Sequence, residues 1–140
     1  MTDISVLSTS RQAEDRSWLL SPHGTDPGTT PSVTLDVSKF TAGTHYPNGY
    51  VPSGIVIAKV TATGLWGPYD STANDGRELV GDDRTGILYG SLPIRTGSSK
   101  VGGARVVHGF VDPAKLPFQA GAGSLGAAAK TALRLIHFSA

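Results

Sequence analysis

Short apolar runs alternate with turn-forming residues along most of the chain, a pattern typical of a β protein. Val33, Leu35 and Val37 are separated by polar residues, and this period of two predicts a half-buried strand. Residues 55–58 are continuously apolar, which indicates a strand buried on both faces. A further strand is expected at residues 87–89.

The last third of the chain adds a longer strand and a short helix. The alternation in residues 104–111 predicts a strand with His108 and Phe110 on the same face. Residues 127–133 have high helix propensity, so one or two helical turns are expected there. Residues 133–138 are apolar enough to form a short final strand.

Length and composition fit this pattern. A chain of 140 residues matches one domain and can bury roughly two thirds of its unfolded surface. Its 18 glycines and 16% charged residues suit a turn-rich β protein better than a helix bundle. We therefore predict a mostly β fold with a short helix. The expected architecture is a compact β-barrel or β-sandwich-like domain over residues 41–140, preceded by an extended N-terminal arm over residues 1–40.

The predicted arm admits two interpretations. Residues 1–31 are rich in Ser, Thr, Asp, Gly and Pro, which is typical of a disordered tail. They could instead order on a partner, with Trp18 as an anchor. The strand at residues 33–37 also has two possible partners. It could pair within its own sheet, or add to a partner's sheet through backbone hydrogen bonds.

Charge and cysteine content exclude several classes of function. The chain has no cysteine, which excludes disulfides, thiolate zinc sites and cysteine nucleophiles. Its 12 basic and 11 acidic residues are scattered, which argues against a nucleic-acid partner. No apolar run approaches the roughly 20 residues that span a bilayer, so no membrane partner is expected. The first residues lack the pattern of a secretory signal, which favours a cytoplasmic product.

Two motifs resemble ligand-binding loops only in part. Residues 121–126 have Gly-x-Gly-x-x-Gly spacing, but no acidic residue follows them, so we interpret them as a flexible loop before a helix. Residues 70–83 are rich in aspartate. An alignment of Gly76 with the glycine of a calcium loop puts Ala73 at a ligand position, which favours a solvated turn.

The remaining candidate side chains point to contacts and not to catalysis. The four histidines lack metal-ligand spacing, and His108 is interpreted as a core or interface residue. Trp66 and Tyr69 either clamp a turn or form an apolar patch in an interface. No Gly-x-Ser-x-Gly motif occurs, and nothing positive supports a paired-carboxylate glycosidase. We predict no enzyme activity, no catalytic residue, no cofactor and no metal.

The order of several segments carries a resemblance to a known family. These segments are residues 47–49, 54–58, 68–70, 75–76, 86–88, 107–111, 116–117 and 133–138. Their order and spacing resemble the head decoration proteins of tailed bacteriophages, the family of the phage lambda decoration protein. The similarity covers roughly residues 45–138. The long N-terminal arm, the loop at 96–103 and the Gly/Ala-rich stretch at 120–129 depart from it.

The resemblance implies a capsid-stabilising structural protein. Members are small, mostly β homotrimers at the threefold positions of an expanded head, where they clamp major capsid subunits against internal DNA pressure. The implied partners are the major capsid protein and further copies of the chain. The implied location is the outer surface of the phage head, after synthesis in the bacterial cytoplasm. The alternatives are another virion surface module, such as a tail or fibre domain that binds a host glycan, and a glycan hydrolase with carboxylates from distant segments.

The resemblance also implies candidate contact residues. In lambda-like members the N-terminal segment orders on binding and extends a capsid sheet, which implicates residues 33–40 here. The candidate capsid-binding residues are Trp18, Val33, Leu35, Val37 and Phe40. The candidates for a trimer or capsid interface are Tyr46, Tyr50, Trp66, Tyr69 and His108.

Overall fold

The computed structural model describes residues 14–26, 28–81 and 83–139 and has a mostly β architecture, which confirms that prediction. Its strands are β1 Ser32–Asp36, β2 Tyr50–Val51, β3 Val56–Lys59, β4 Trp66–Pro68, β5 Thr85–Leu88, β6 Leu92–Pro93, β7 Lys100–Val106, β8 Gly109–Val111 and β9 Ile136–Phe138. Its α-helices are α1 Ala42–His45 and α2 Ala127–Ala132. Single turns of 3₁₀ helix span Val37–Lys39 and Pro113–Lys115.

Five strands close a barrel in the order β1-β4-β3-β5-β7. β1 pairs antiparallel with β7 from Ser32 opposite Ala104 to Asp36 opposite Lys100. It pairs parallel with β4 at Leu35 opposite Trp66, and the other barrel pairs are antiparallel. Closure leaves no strand of the barrel with a free edge. Two small sheets, β2-β6 and β8-β9, lie outside it.

The predicted strand at residues 33–37 pairs within its own sheet. Val33 and Leu35 are buried, while Ser32 and Thr34 are exposed, as the alternation indicates. The strand has partners on both sides, so β1 cannot extend a capsid sheet unless the barrel opens. The interpretation in which it adds to a partner's sheet is therefore corrected.

Residues 14–26 lie against the domain. Trp18 is only 1% exposed, and its indole Nε1 donates to Ser53 Oγ at 3.1 Å. Leu19 forms a bridge with Val111, and Asp112 N donates to Trp18 O at 2.8 Å. The predicted boundary at residue 40 is corrected, because the described residues from 14 onward belong to the domain. Residues 1–13 of the predicted arm lie outside the described residues.

The core consists of two clusters on opposite faces of the central strands. One cluster contains Trp18, Val56, Ala58, Tyr69, Ile87, Val106, Val111, Leu116, Ala129, Leu133 and Ile136. The other contains Val33, Leu35, Phe40, Val51, Ile55, Ile57, Trp66 and Leu88. Successive side chains of β3 and β5 enter alternate clusters, which explains why residues 55–58 are continuously apolar. The prediction of a strand buried on both faces is confirmed.

The Gly-x-Gly-x-x-Gly stretch packs against the barrel. Gly123 N donates to Tyr69 O at 2.8 Å, and Val56 N donates to Gly123 O at 2.9 Å. A Cβ at Gly123 would lie 2.8 Å from Ile55 Cγ1, so close approach to β3 accounts for this glycine. A dinucleotide site requires a strand directly before this motif, and the described residues 112–120 contain no strand. The predicted helix after it is confirmed as α2.

The acidic turn at residues 70–81 contains a small ion-pair cluster. Asp75 Oδ2 lies 3.0 Å from Arg77 Nε and 3.2 Å from Lys39 Nζ. Burial raises the pKa of the Asp75 carboxyl, but hydrogen bonds from Arg77 and Lys39 outweigh it and hold that pKa below its ordinary value. Because the folded-state pKa is lowered, this carboxylate stabilises the fold above about pH 3.9 and stops doing so as the pH falls through the folded-state value.

Asp75→Asn should therefore lower the free energy of unfolding by about 1 kcal/mol at pH 7, since the pairs are partly exposed. The difference from the unmodified protein should shrink toward zero below about pH 4. Urea unfolding across pH measures both effects. Asp83→Asn is the matched control, because Asp83 is exposed and has no ion pair among the described residues. A pH-independent loss in Asp75→Asn would contradict the electrostatic explanation.

Candidate interaction surface

The candidate capsid-binding side chains are core residues. Trp18, Val33, Leu35, Val37 and Phe40 are all buried within the described part of the protein. A side chain enclosed by its own domain cannot contact a capsid without unfolding that domain. These five assignments are therefore corrected to structural roles.

The candidate interface aromatics are divided between core and surface. Trp66 and Tyr69 are buried, and the Arg105 guanidinium lies 5.0 Å from the Trp66 ring centroid. These two aromatics therefore pack inside the domain and do not form an exposed patch. Tyr46 and Tyr50 are half-buried beside the second core cluster and β6 respectively. They remain partly accessible.

His108 is half-buried and contacts a set of surface residues that includes none of the other predicted interface residues. Its ring centroid lies 4.7 Å from that of His23 in an edge-to-face arrangement. The Phe110 ring lies 5.9 Å from His23 and 5.8 Å from His137. We call this surface the histidine–aromatic face. Its members are Leu20, His23, His108, Phe110, Leu135 and His137.

Strand alternation explains how the histidine–aromatic face forms. β8 lies between the Leu19 bridge on one side and β9 on the other. Leu19, Val111 and Ile136 pack toward the first core cluster. Their neighbours Leu20, Phe110 and His137 are therefore directed outward. Leu135 precedes β9, and its carbonyl accepts a hydrogen bond from Gly109 N at 3.2 Å.

Two glycines let the chain cross itself beneath His23 and His108. Gly24 has φ +88°, and a Cβ there would clash with the carbonyl of His108. Gly109 has φ +144°, and a Cβ there would lie 2.8 Å from His23 O. Only glycine fits such a positive φ together with so close an approach. The crossing therefore fixes His23 next to His108.

The break before Gly109 also corrects one sequence prediction. β7 ends at Val106 and β8 begins at Gly109, so residues 104–111 do not form one strand. The interruption changes the alternation, and Val106 is buried while Phe110 is 40% exposed. Phe110 thus lies on the surface, and not on the inward face that a continuous strand would share with Val106.

The other polar features have structural roles. An open depression of about 470 Å³ is lined by Asp70 together with Thr72 and residues of 121–128. Hydrogen bonds from the Thr72 hydroxyl and amide lower the pKa of Asp70, so this carboxylate caps its own turn. The described residues contain no group of three or more His, Cys, Asp or Glu side chains placed to hold a metal ion.

The buried His45 is fully hydrogen-bonded. Its Nδ1 accepts from Thr41 N at 2.9 Å, and its Nε2 lies 3.1 Å from Ala122 O. This pattern assigns the proton to Nε2, which donates to the carbonyl. The ring thereby joins α1 to the glycine-rich stretch.

Sequence reasoning missed five residues of the histidine–aromatic face, namely Leu20, His23, Phe110, Leu135 and His137. One signal was present. Alternation does not reveal Leu20, because a period of two would put it on the same face as the buried Trp18. His137 alternates with Ile136 and Phe138 in the short final strand. No local pattern relates His23 to Phe110, because these two residues are far apart in the sequence.

No helix in the described residues is both long and apolar enough to cross a membrane. Comparison with protein-family models, curated proteins and solved structures returned no match.

Proposed function

We propose that this protein is a structural virion protein that binds the outside of the expanded phage head as a homotrimer at threefold sites and stabilises the capsid against internal DNA pressure. One observation supports the proposal above others. Segments that resemble the decoration family coincide with structural elements of a β domain, since residues 54–58, 68–70, 86–88, 107–111 and 133–138 overlap β3, β4, β5, β8 and β9 respectively.

The proposed role needs no catalytic site. A trimer offers three linked contacts, so the avidity of the assembly can exceed one contact by about two to four orders of magnitude. A protein that binds the expanded lattice and not the unexpanded one stabilises the expanded state by mass action. The affinity of each single contact can therefore be modest.

We propose that residues 1–13 supply the capsid-pairing segment in place of residues 33–40. The chain joins the described domain at Glu14, whose carboxylate accepts a hydrogen bond from Ser91 N at 2.9 Å. Ile4 and Val6 are β-branched residues, a type that is enriched in strands. A strand that adds to a partner's sheet gains main-chain hydrogen bonds from the partner and specificity from alternate side chains.

Removal of residues 1–13 should leave unfolding unchanged and weaken binding to expanded heads at least about tenfold, which is about 1.4 kcal/mol per site. The expected stability follows because Trp18 and its hydrogen bond to Ser53 are retained. Urea unfolding and quantitative head binding check the two parts. A matched control replaces Ser8, Thr9 and Ser10 by alanine and keeps Ile4 and Val6. Undiminished binding by the shortened chain would exclude residues 1–13 as the capsid contact.

The stabilising role is tested on DNA-filled, undecorated expanded heads. Heads challenged with EDTA or heat release DNA, which an intercalating dye reports by fluorescence. Saturation with the protein should raise the temperature of DNA release, whereas an equal mass of an unrelated protein should not. Binding that leaves the temperature of DNA release unchanged would contradict the stabilising role. It would favour the alternative, a virion surface module such as a tail or fibre domain that binds a glycan.

A further inference from the structure

We infer that the outer edge of β9, the side of this strand that faces away from β8, is a docking site for an extended segment of a partner polypeptide. The segment adds one strand to the β8-β9 sheet. It carries an acidic side chain opposite Phe138 and apolar side chains on either side of that position. The inference goes beyond the proposed function and does not depend on it.

Within the described part of the chain, β9 is paired on one side only, with β8. Gly109 N donates to Leu135 O at 3.2 Å, and Ser139 N donates to Val111 O at 2.9 Å. Leu135 and Ser139 therefore direct main-chain groups toward β8. Because successive residues of a strand direct their N–H and C=O groups to opposite sides, those of Phe138 lie at the outer edge.

The outer edge offers both a donor and an acceptor. Phe138 N, Phe138 O and Ile136 O have no hydrogen-bond partner among the described residues, whereas Ile136 N donates to Leu133 O at 3.2 Å. Buried main-chain groups are nearly always hydrogen-bonded, so these unpaired groups indicate access from solvent. An edge of this kind accepts an added strand, and a helix cannot replace that strand because its own donors and acceptors are already used.

Lys130 supplies the charge that the partner matches. Its Nζ lies 5.8 Å from the centroid of the Phe138 ring and forms no ion pair with any described residue. Directly opposite residues of paired strands share a face, so the partner side chain opposite Phe138 extends toward Lys130. A carboxylate at that position gains an ion pair, whereas a lysine or arginine is repelled.

The other charged residues around β9 agree with an acidic partner. Residues 113–140 include Lys115, Lys130 and Arg134 and contain no aspartate or glutamate. Asp112, which follows β8, is 6% exposed, and its Oδ1 accepts from the amide of the 3₁₀ turn after it at 3.0 Å. Asp70, near the start of α2, is hydrogen-bonded to its own turn. Neither carboxylate is therefore directed at the outer edge.

The opposite face of the added strand meets apolar surface. Phe110 lies opposite His137 in the ladder and is 40% exposed, and Leu135 is 63% exposed. Partner residues next to the one opposite Phe138 share the face of Leu135 and His137, because side chains alternate along a strand. Apolar β-branched residues suit these positions. The expected ligand therefore has an apolar–acidic–apolar pattern in an extended segment.

Amide hydrogen exchange measured by NMR tests the edge in the unmodified protein. The Phe138 amide should exchange at least about tenfold faster than the Ser139 amide, which is bonded to Val111 O. The probe is the capped peptide Ser-Thr-Ile-Glu-Ile-Thr-Ser, and its saturating addition should slow exchange at Phe138 at least about tenfold. The same peptide with methylated main-chain nitrogens loses its donors and should bind at least about tenfold more weakly.

A charge exchange at Lys130 tests the chemistry of the ligand. Lys130→Glu should weaken binding of the glutamate peptide at least about tenfold and strengthen binding of a peptide with lysine in place of glutamate. Lys130→Ala, which should lose the preference between the two peptides, keeps the test available if Lys130→Glu misfolds. Arg95→Glu is the matched control, because it makes the same charge change at an exposed residue after β6, and both affinities should stay unchanged.

Three results would overturn the inference. The first is a Phe138 amide as protected as the Ser139 amide in the unbound protein. The second is the absence of peptide binding at concentrations up to about 5 mM. The third is binding that methylation leaves unchanged, or that Lys130→Glu and Arg95→Glu alter equally. No phage particle enters this test, so its failure leaves the proposed function standing, and a failure to bind heads leaves this site standing.

Discussion

A chain that lacks residues 1–40 should fail to fold. The deletion removes the buried side chains of Trp18, Val33, Leu35, Val37 and Phe40, and all of these except Val37 belong to the two core clusters. Truncation of each such side chain alone costs about 1–5 kcal/mol, so their joint removal exceeds the 5–15 kcal/mol that stabilises a typical domain. Deletion of β1 also leaves the facing edges of β4 and β7 unpaired.

Circular dichroism and the dispersion of amide resonances measure this outcome. The chain that lacks only residues 1–13 is the control, because it keeps every one of these core side chains. A cooperatively folded protein starting at residue 41 would show that the barrel closes without β1, and it would restore the interpretation of residues 1–40 as an arm separate from the domain.

Trp18→Ala should lower the free energy of unfolding by about 3–5 kcal/mol, the largest effect expected of a single substitution at the N-terminal segment. Trp18 is only 1% exposed and belongs to the first core cluster, and its indole Nε1 donates to Ser53 Oγ, which in turn donates to Tyr89 O at 2.8 Å. Loss of the ring leaves a cavity, and loss of the Nε1 donor removes a buried hydrogen bond.

Trp18→Phe separates these two contributions. It retains most of the buried ring but leaves Ser53 Oγ without the indole donor, so the expected loss is smaller, about 1–3 kcal/mol. Leu79→Ala is the surface control and should lie within about 0.5 kcal/mol of the unmodified protein, because Leu79 is exposed. Urea unfolding measures all three. A Trp18→Ala protein as stable as the control would mean that Trp18 does not pack as described.

Sequence patterns predicted the buried strands and the short helix for a simple physical reason. Residues 55–58 are apolar without interruption because β3 contributes side chains to both core clusters. The local sequence therefore shows that both faces of the strand are buried. The propensity of residues 127–133 likewise predicted α2. The alternation of β1 was predicted correctly as well, but alternation gives the faces of a strand and says nothing about which strand lies beside it.

The N-terminal segment and the histidine–aromatic face depend on contacts between distant residues. Trp18 stands in a polar stretch, so its burial depends on Ser53 and Val111, which are far away in the chain. The strand break before Gly109 follows from a backbone crossing with residue 24, and no local pattern reveals such a crossing. Composition near Trp18 therefore predicted a tail where tertiary contacts produce a packed segment.

Burial also changes which substitutions can test capsid binding. Leu35 lies in the barrel with 0% exposure, so Leu35→Asp would place a carboxylate in the core and unfold the protein. Any loss of head attachment would then report misfolding. Substitutions at residues 1–13 and at exposed positions of the histidine–aromatic face avoid this problem, because they leave the core clusters intact.

Co-sedimentation with expanded, undecorated heads and with unexpanded procapsids of the same phage tests the decoration role most directly. Saturable binding to expanded heads, in multiples of three copies per threefold site and without binding to procapsids, is the predicted result. It would establish attachment and recognition of the expanded state together. Absence of binding to both particles by folded, trimeric protein would contradict the proposed function.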